Sequence, residues 1–109
     1  MSEKTAENGN MSKLSKATDI PPSVKEKVWE RDDHRCVICG SPYAQPNAHY
    51  IRRSHGGLGI EQNVVTLCLN CHNDFDNGRC REEYGEMIRD YLKSKYPNWN
   101  EADLVFRKD

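Results

Sequence analysis

The chain has 109 residues, enough for one domain, since a second independent core would need roughly twice that length. Apolar residues make up 36% and charged residues 30%, less core material than the about 45–50% apolar usage, glycine included, of soluble domains. No apolar run approaches the roughly 20 residues of a membrane span, and the first residues lack the apolar stretch of a signal peptide. Membrane and secreted classes are therefore excluded, and a cytoplasmic protein is expected. Sixteen Lys and Arg against 17 Asp and Glu leave a net charge of -1, so any partner must be sought in local clusters.

Residues 1–18 are rich in Ser, Lys, Glu, Asn and Ala, with three isolated apolar side chains, and are expected to form a flexible arm. A folded domain is expected over 19–97 and a tail over 98–109. After Ile20-Pro21-Pro22 the pattern predicts a helix over 23–30, with Val24, Val28 and Trp29 on one face. Residues 36–41 read as a tight turn, with Gly40 at a position suited to unusual backbone angles. Residues 42–47 read as loop and 48–53 as a short extended run, followed by a glycine-rich stretch. Residues 63–69 start as a strand, and a short helix begins at Cys71. A second helix from Arg81 places Tyr84, Met87, Ile88, Tyr91 and Leu92 on one stripe until Pro97 stops it.

Five cysteines in a small, apolar-poor chain without an export signal point to metal rather than disulfides. Cys36-Val-Ile-Cys39 and Cys68-Leu-Asn-Cys71 form two C-x-x-C pairs. Two such turns can close a tetrahedral Zn²⁺ site, and four protein ligands leave no open position, so the zinc would be structural. A dithiol redox motif would be expected once, at a helix start in a βαβ setting, and buried small hydrophobes are the plainer alternative. Cys80 lies outside both pairs and reads as a spare thiol.

Between and after the pairs stand His49, the arginines Arg52 and Arg53, His55-Gly56-Gly57, Asn63, His72 and Asp76. These residues can do phosphodiester chemistry. A neutral imidazole can take a proton from water near working pH, and one divalent ion can offset charge on the leaving oxygen. His72 and Asp76, spaced i and i+4, would present two ligands on one helical face. Lys25, Lys27, Arg31, Arg35, Arg52 and Arg53 suggest a local basic surface for phosphate contacts. Each residue also has a plainer reading: His49 an ordinary strand histidine, Asn63 a turn or cap, Asp76 a solvated helix-end carboxylate, His55 a solvated loop group or a phosphate contact.

Together these residues resemble the HNH, or ββα-metal, endonuclease family over roughly residues 28–78. The resemblance implies a small α+β fold: a ββα-metal unit braced by a four-cysteine structural zinc, with flanking N- and C-terminal helices. It implies His49 as general base and Asn63 as the residue that braces the site. His72 and Asp76 would hold a catalytic Mg²⁺, Mn²⁺ or other divalent ion, and Arg52, Arg53 and His55 would contact nucleic acid. DNA is the implied partner, with specificity weak or supplied by a protein partner; similar small stand-alone members are common in phages and mobile elements. One position departs from the family, whose residue before the base is usually a metal-binding Asp or His; here it is Ala48. That departure motivates the competing reading of a catalytically weakened, nucleic-acid-binding zinc module. A third reading is a zinc-ribbon interaction adaptor using the apolar C-terminal helix.

Overall fold

A computed structural model describes residues 16–106; the part of the expected flexible arm before Lys16 lies outside the described residues. Helix α1 spans Pro22–Arg31, with Pro22 in its first turn, where the missing N–H costs nothing. Asp33 and His34 then take positive φ values of 58°, which breaks the helix and stacks the His34 ring on Trp29 at 4.8 Å. Strands β1 (Ala44–His49) and β2 (Val64–Cys68) pair antiparallel. Helix α2 (Leu69–Asp76) follows β2 without a break, and α3 (Arg81–Lys95) packs beside it. A 3₁₀ turn at Glu101–Leu104 closes the described chain. No helix among the described residues is long and apolar enough to cross a membrane.

The strand β1 starts earlier than the expected extended run at 48–53 and takes in residues expected to be loop. Its register pairs Ala44 with Cys68 and Gln45 with Leu67, then Ala48 with Val65 and His49 with Val64. Three steps on β1 thus face two on β2, a bulge at Pro46 and Asn47. A proline is tolerated there because the ladder is already interrupted.

All five residues of β2 are buried. One edge pairs with β1; the other would expose unsatisfied backbone groups if nothing closed it. The end of α1 does so. The buried Asp32 carboxylate accepts from Thr66 N–H at 2.8 Å, Arg31 donates to the Val64 carbonyl at 2.7 Å, and Val37 N–H donates to the Thr66 carbonyl. Burial by itself would lower the Arg31 pKa, but the Asp32 carboxylate and the Tyr96 hydroxyl outweigh it and hold the guanidinium firmly charged. Arg31 therefore belongs to a buried network and not to the expected basic surface, and Lys27 lies 3.8 Å from Glu61. The apolar core lies between the sheet and helices α2 and α3, with Ala48, Val65, Leu67, Phe75, Ile88 and Leu92 packed against Cys36, Cys68 and Cys71.

Packing runs past both expected boundaries. Residues 16–18 are helical and Thr18 is 3% exposed. In the expected tail, Leu104 is 1% exposed, the Trp99 indole donates to the Gln62 carbonyl, and Val105 bridges to Gly57. Both ends of the described chain thereby clamp the loop between β1 and β2: Gly59 N–H donates to the Ala17 carbonyl and Leu58 N–H to the Leu104 carbonyl.

Candidate active site

The four paired cysteines converge, with all ligand sulfurs within 4.8 Å of one another. Zn–S bonds of about 2.3 Å in a tetrahedron put sulfurs about 3.8 Å apart, and the Cys39 and Cys68 sulfurs stand at 3.6 Å. The turns that carry them are built alike. Cys39 N–H donates to Cys36 Sγ and Cys71 N–H to Cys68 Sγ, each at 3.5 Å. In the first knuckle Gly40 N–H donates to the Cys36 carbonyl, and Gly40 adopts φ 81°, which glycine takes without strain as the chain turns away. Burial pushes the Cys36 thiol up, but N–H donors around the sulfur prevail and bring it down to about 7. Burial raises Cys71, where neighbouring sulfurs crowd the site. An all-sulfur donor set of this size suits Zn²⁺ and leaves no position for substrate. Cys80 stands outside the cluster.

A second constellation opens on a cleft of about 800 Å³ lined by His49, His72, Asp76, Asn47, Arg52 and Arg53, together with Lys25, Ser54, Asp19 and Ile20. β1 supplies His49 and α2 supplies His72 and Asp76, so the strand–helix junction sets their relation. His72 Nε2 lies 3.0 Å from Asp76 Oδ2. That is hydrogen-bond distance, and it is also the separation of two adjacent corners of an octahedron with metal–ligand distances of about 2.1 Å. The pair therefore fits a small divalent ion whose remaining ligands are water or phosphate oxygens. Arg52 donates to the Asp76 carbonyl at 3.0 Å, which ties the β1–β2 loop to the end of α2, and Arg53 pairs with Asp19.

His49 Nε2 is 2.8 Å from the Thr18 carbonyl. A carbonyl only accepts, so Nε2 carries the proton and, in the neutral ring, Nδ1 keeps a lone pair. Burial, reinforced by the Arg53 charge and opposed by the Thr18 bond, holds the His49 pKa below its ordinary value. The shift favours the neutral ring.

Asn63 is fully buried and does not line the cleft. Its side chain accepts from Ile51 N–H at 2.8 Å and donates to the Ile51 and Leu58 carbonyls, while its own carbonyl accepts from Tyr50 N–H. These bonds hold the loop that carries Arg52 and Arg53. His55 faces a different cavity, with Tyr50, Phe75 and Arg81. Ala48 has no exposed surface and packs into the core, so a carboxylate at that position would be buried away from the cleft. Asn47, Ser54 and Asp19 are cleft residues that sequence reasoning missed. Asn47 had a signal, because it stands two residues before His49 on a strand. Its Oδ1 is buried without a hydrogen-bond partner among the described residues.

Residues 36–77 match the family model described as HNH endonuclease. The matched stretch holds both cysteine pairs, His49, Asn63, His72 and Asp76, within a small α+β fold. Among curated proteins, the chain is 29% identical over 58 residues to Anaredoxin of Nostoc sp., covering 52% of this chain and 76% of that one. Among solved structures it resembles the type IV phosphorothioation-dependent restriction endonuclease ScoMcrA, with a TM-score of 0.55 and 20% identity over 81% of this chain. The chain spans only 24% of that enzyme's length, and the likeness is one of fold.

Proposed function

We propose that this protein is a metal-dependent DNA endonuclease, with His49 as general base and His72 and Asp76 holding the catalytic divalent ion. The carrying observation is that these three side chains, from a strand and a helix, open on one cleft rimmed by Lys25, Arg52 and Arg53. When bound, Mg²⁺ or Mn²⁺ supplies positive charge where the leaving oxygen gains negative charge. His49 accepts the proton of the attacking water at its lone-pair nitrogen as the water oxygen bonds to phosphorus; the P–O bond to the leaving 3′ oxygen breaks and that oxygen takes a proton from solvent, giving a 5′-phosphate and a 3′-hydroxyl. Arg52 and Arg53 hold phosphates, contacts that set position without reading bases. The zinc cluster acts only through the fold, fixing the start of α2, where His72 follows Cys71. The HNH match over residues 36–77 and the restriction-endonuclease neighbour support this reading.

One observation favours the weaker alternative, a DNA-binding module without cleavage: with Ala48 in the core, the position before His49 offers an ion no ligand. Supercoiled plasmid incubated with the purified protein separates the two. Nicking that requires Mg²⁺ or Mn²⁺ and stops with a chelator is expected. Tight DNA binding without nicking under any divalent ion would overturn the endonuclease reading in favour of the binding module.

A further inference from the structure

The strap before α1, residues 16–20, reaches across the cleft to the histidine of the site, and nothing in the HNH match at residues 36–77 includes it. Three independent contacts seat it. Thr18 is 3% exposed and its carbonyl lies 2.8 Å from His49 Nε2. The Ala17 carbonyl accepts from Gly59 N–H at 3.0 Å. The Asp19 carboxylate pairs with Arg53. Gly59 is itself shaped by the strap: a Cβ there would overlap the Asp19 carbonyl oxygen and press on Ile20. Only glycine lets the loop and the strap lie this close.

We propose that the strap is a working part of the active site, with the Thr18 carbonyl as the positioning group that fixes His49 in its Nε2–H tautomer and so assigns Nδ1 as the basic nitrogen. This rests on the endonuclease reading for its consequence and on geometry for its mechanism. A neutral imidazole free in solution exchanges its proton between the two nitrogens and turns about its bonds to the backbone. One acceptor on Nε2 removes both freedoms, as the orienting partner of a catalytic histidine does elsewhere. The acceptor on the ring is the Thr18 carbonyl, which belongs to the strap and not to β1. The part of the chain that completes the base therefore lies some 30 residues before it in sequence.

The test reads the tautomer directly, by ¹⁵N–¹H correlation spectra of the histidine rings of the full-length, zinc-loaded protein. The parent should show His49 as the Nε2–H form. Gly59→Ala, which displaces the strap while leaving the zinc ligands and α2 untouched, should give a mixed or exchanging His49 signal. Its plasmid cleavage rate constant at saturating DNA should fall about tenfold or more, the usual scale for losing an orienting partner. Asp19→Asn, which loosens the strap at one contact only, should move both readouts the same way and less far. A parent His49 in the Nδ1–H form would overturn the proposal without any variant. So would Gly59→Ala with an unchanged ring spectrum, or with faster cleavage, which would make the strap a lid over the base. The ring spectrum needs no substrate, so a parent that cuts nothing refutes the endonuclease reading alone while the spectrum still decides whether the strap holds His49.

Discussion

Replacing Asp32 with alanine should unfold much of the protein near physiological temperature, although Asp32 lies outside both the cysteine cluster and the cleft. Its carboxylate accepts from Arg31 at 2.7 and 3.0 Å, from the Tyr91 hydroxyl at 2.6 Å and from Thr66 N–H at 2.8 Å. It thus joins α1, β2 and α3 at one buried point. Alanine leaves a largely buried guanidinium without its counter-charge, a change that costs about 3–5 kcal/mol. It also leaves the Thr66 N–H on the free edge of β2 without an acceptor. A domain of this size has about 5–15 kcal/mol in total, and each kcal/mol shifts the melting temperature by roughly 4–8 °C. The expected drop is therefore roughly 12–40 °C. It should be measured by circular dichroism with zinc saturating in parent and variant alike, because zinc loss shifts melting on its own. Combining Asp32→Leu with Arg31→Met removes both charges and should recover part of the loss. An Asp32→Ala protein melting within about 4 °C of the parent would refute the reasoning, since the carboxylate would then contribute less than about 1 kcal/mol.

Cys71→Ser should abolish tight zinc binding and the cooperative melt together, because structural zinc contributes about 10–16 kcal/mol of apparent binding energy, as much as the whole domain's stability. Metal analysis of purified parent protein checks the premise; a zinc-free preparation with a sharp melt would contradict it. Replacing both Arg52 and Arg53 with Ala should weaken binding to all DNA sequences alike and reduce the slope of log K against log salt by about 1–2. A changed sequence preference at an unchanged slope would count against phosphate contact. Cleavage should rise with pH as His49 loses its proton and level off. The midpoint should fall below the ordinary histidine value of about 6.5, because burial disfavours the charged ring. A midpoint well above that value would mean that another group is titrating.

What could be read from the sequence was local. Two C-x-x-C pairs carry their own geometry, and the β-branched run at Val64–Cys68 together with His72 and Asp76 at i and i+4 places the second half of the unit with no long-range information. The first strand was harder, because Pro46 and Asn47 read as loop and only the pairing with β2 makes them a bulge. Arg31 looked like surface charge beside Lys25 and Lys27; its burial depends on Asp32, Tyr91, Tyr96 and the edge of β2 meeting in space, which no period in the sequence reports. The same holds for Thr18 and Leu104, which pack into the domain from segments whose composition reads as arm and tail. Ala48 marked a departure in the sequence, and the structure gives the cause: the side chain faces the core, where a ligand would have no ion to reach.

The most direct measurement is the single-turnover cleavage rate of supercoiled plasmid by the parent and by His49→Ala, in Mg²⁺ or Mn²⁺, with zinc content and melting temperature verified in both. His49 lines the cleft and lies outside the four-cysteine cluster, so the variant should keep its zinc and its fold while losing about 10²–10⁴ in rate, the usual contribution of a general base. Cleavage by the parent that persists undiminished in a folded, zinc-loaded His49→Ala protein would contradict the assignment.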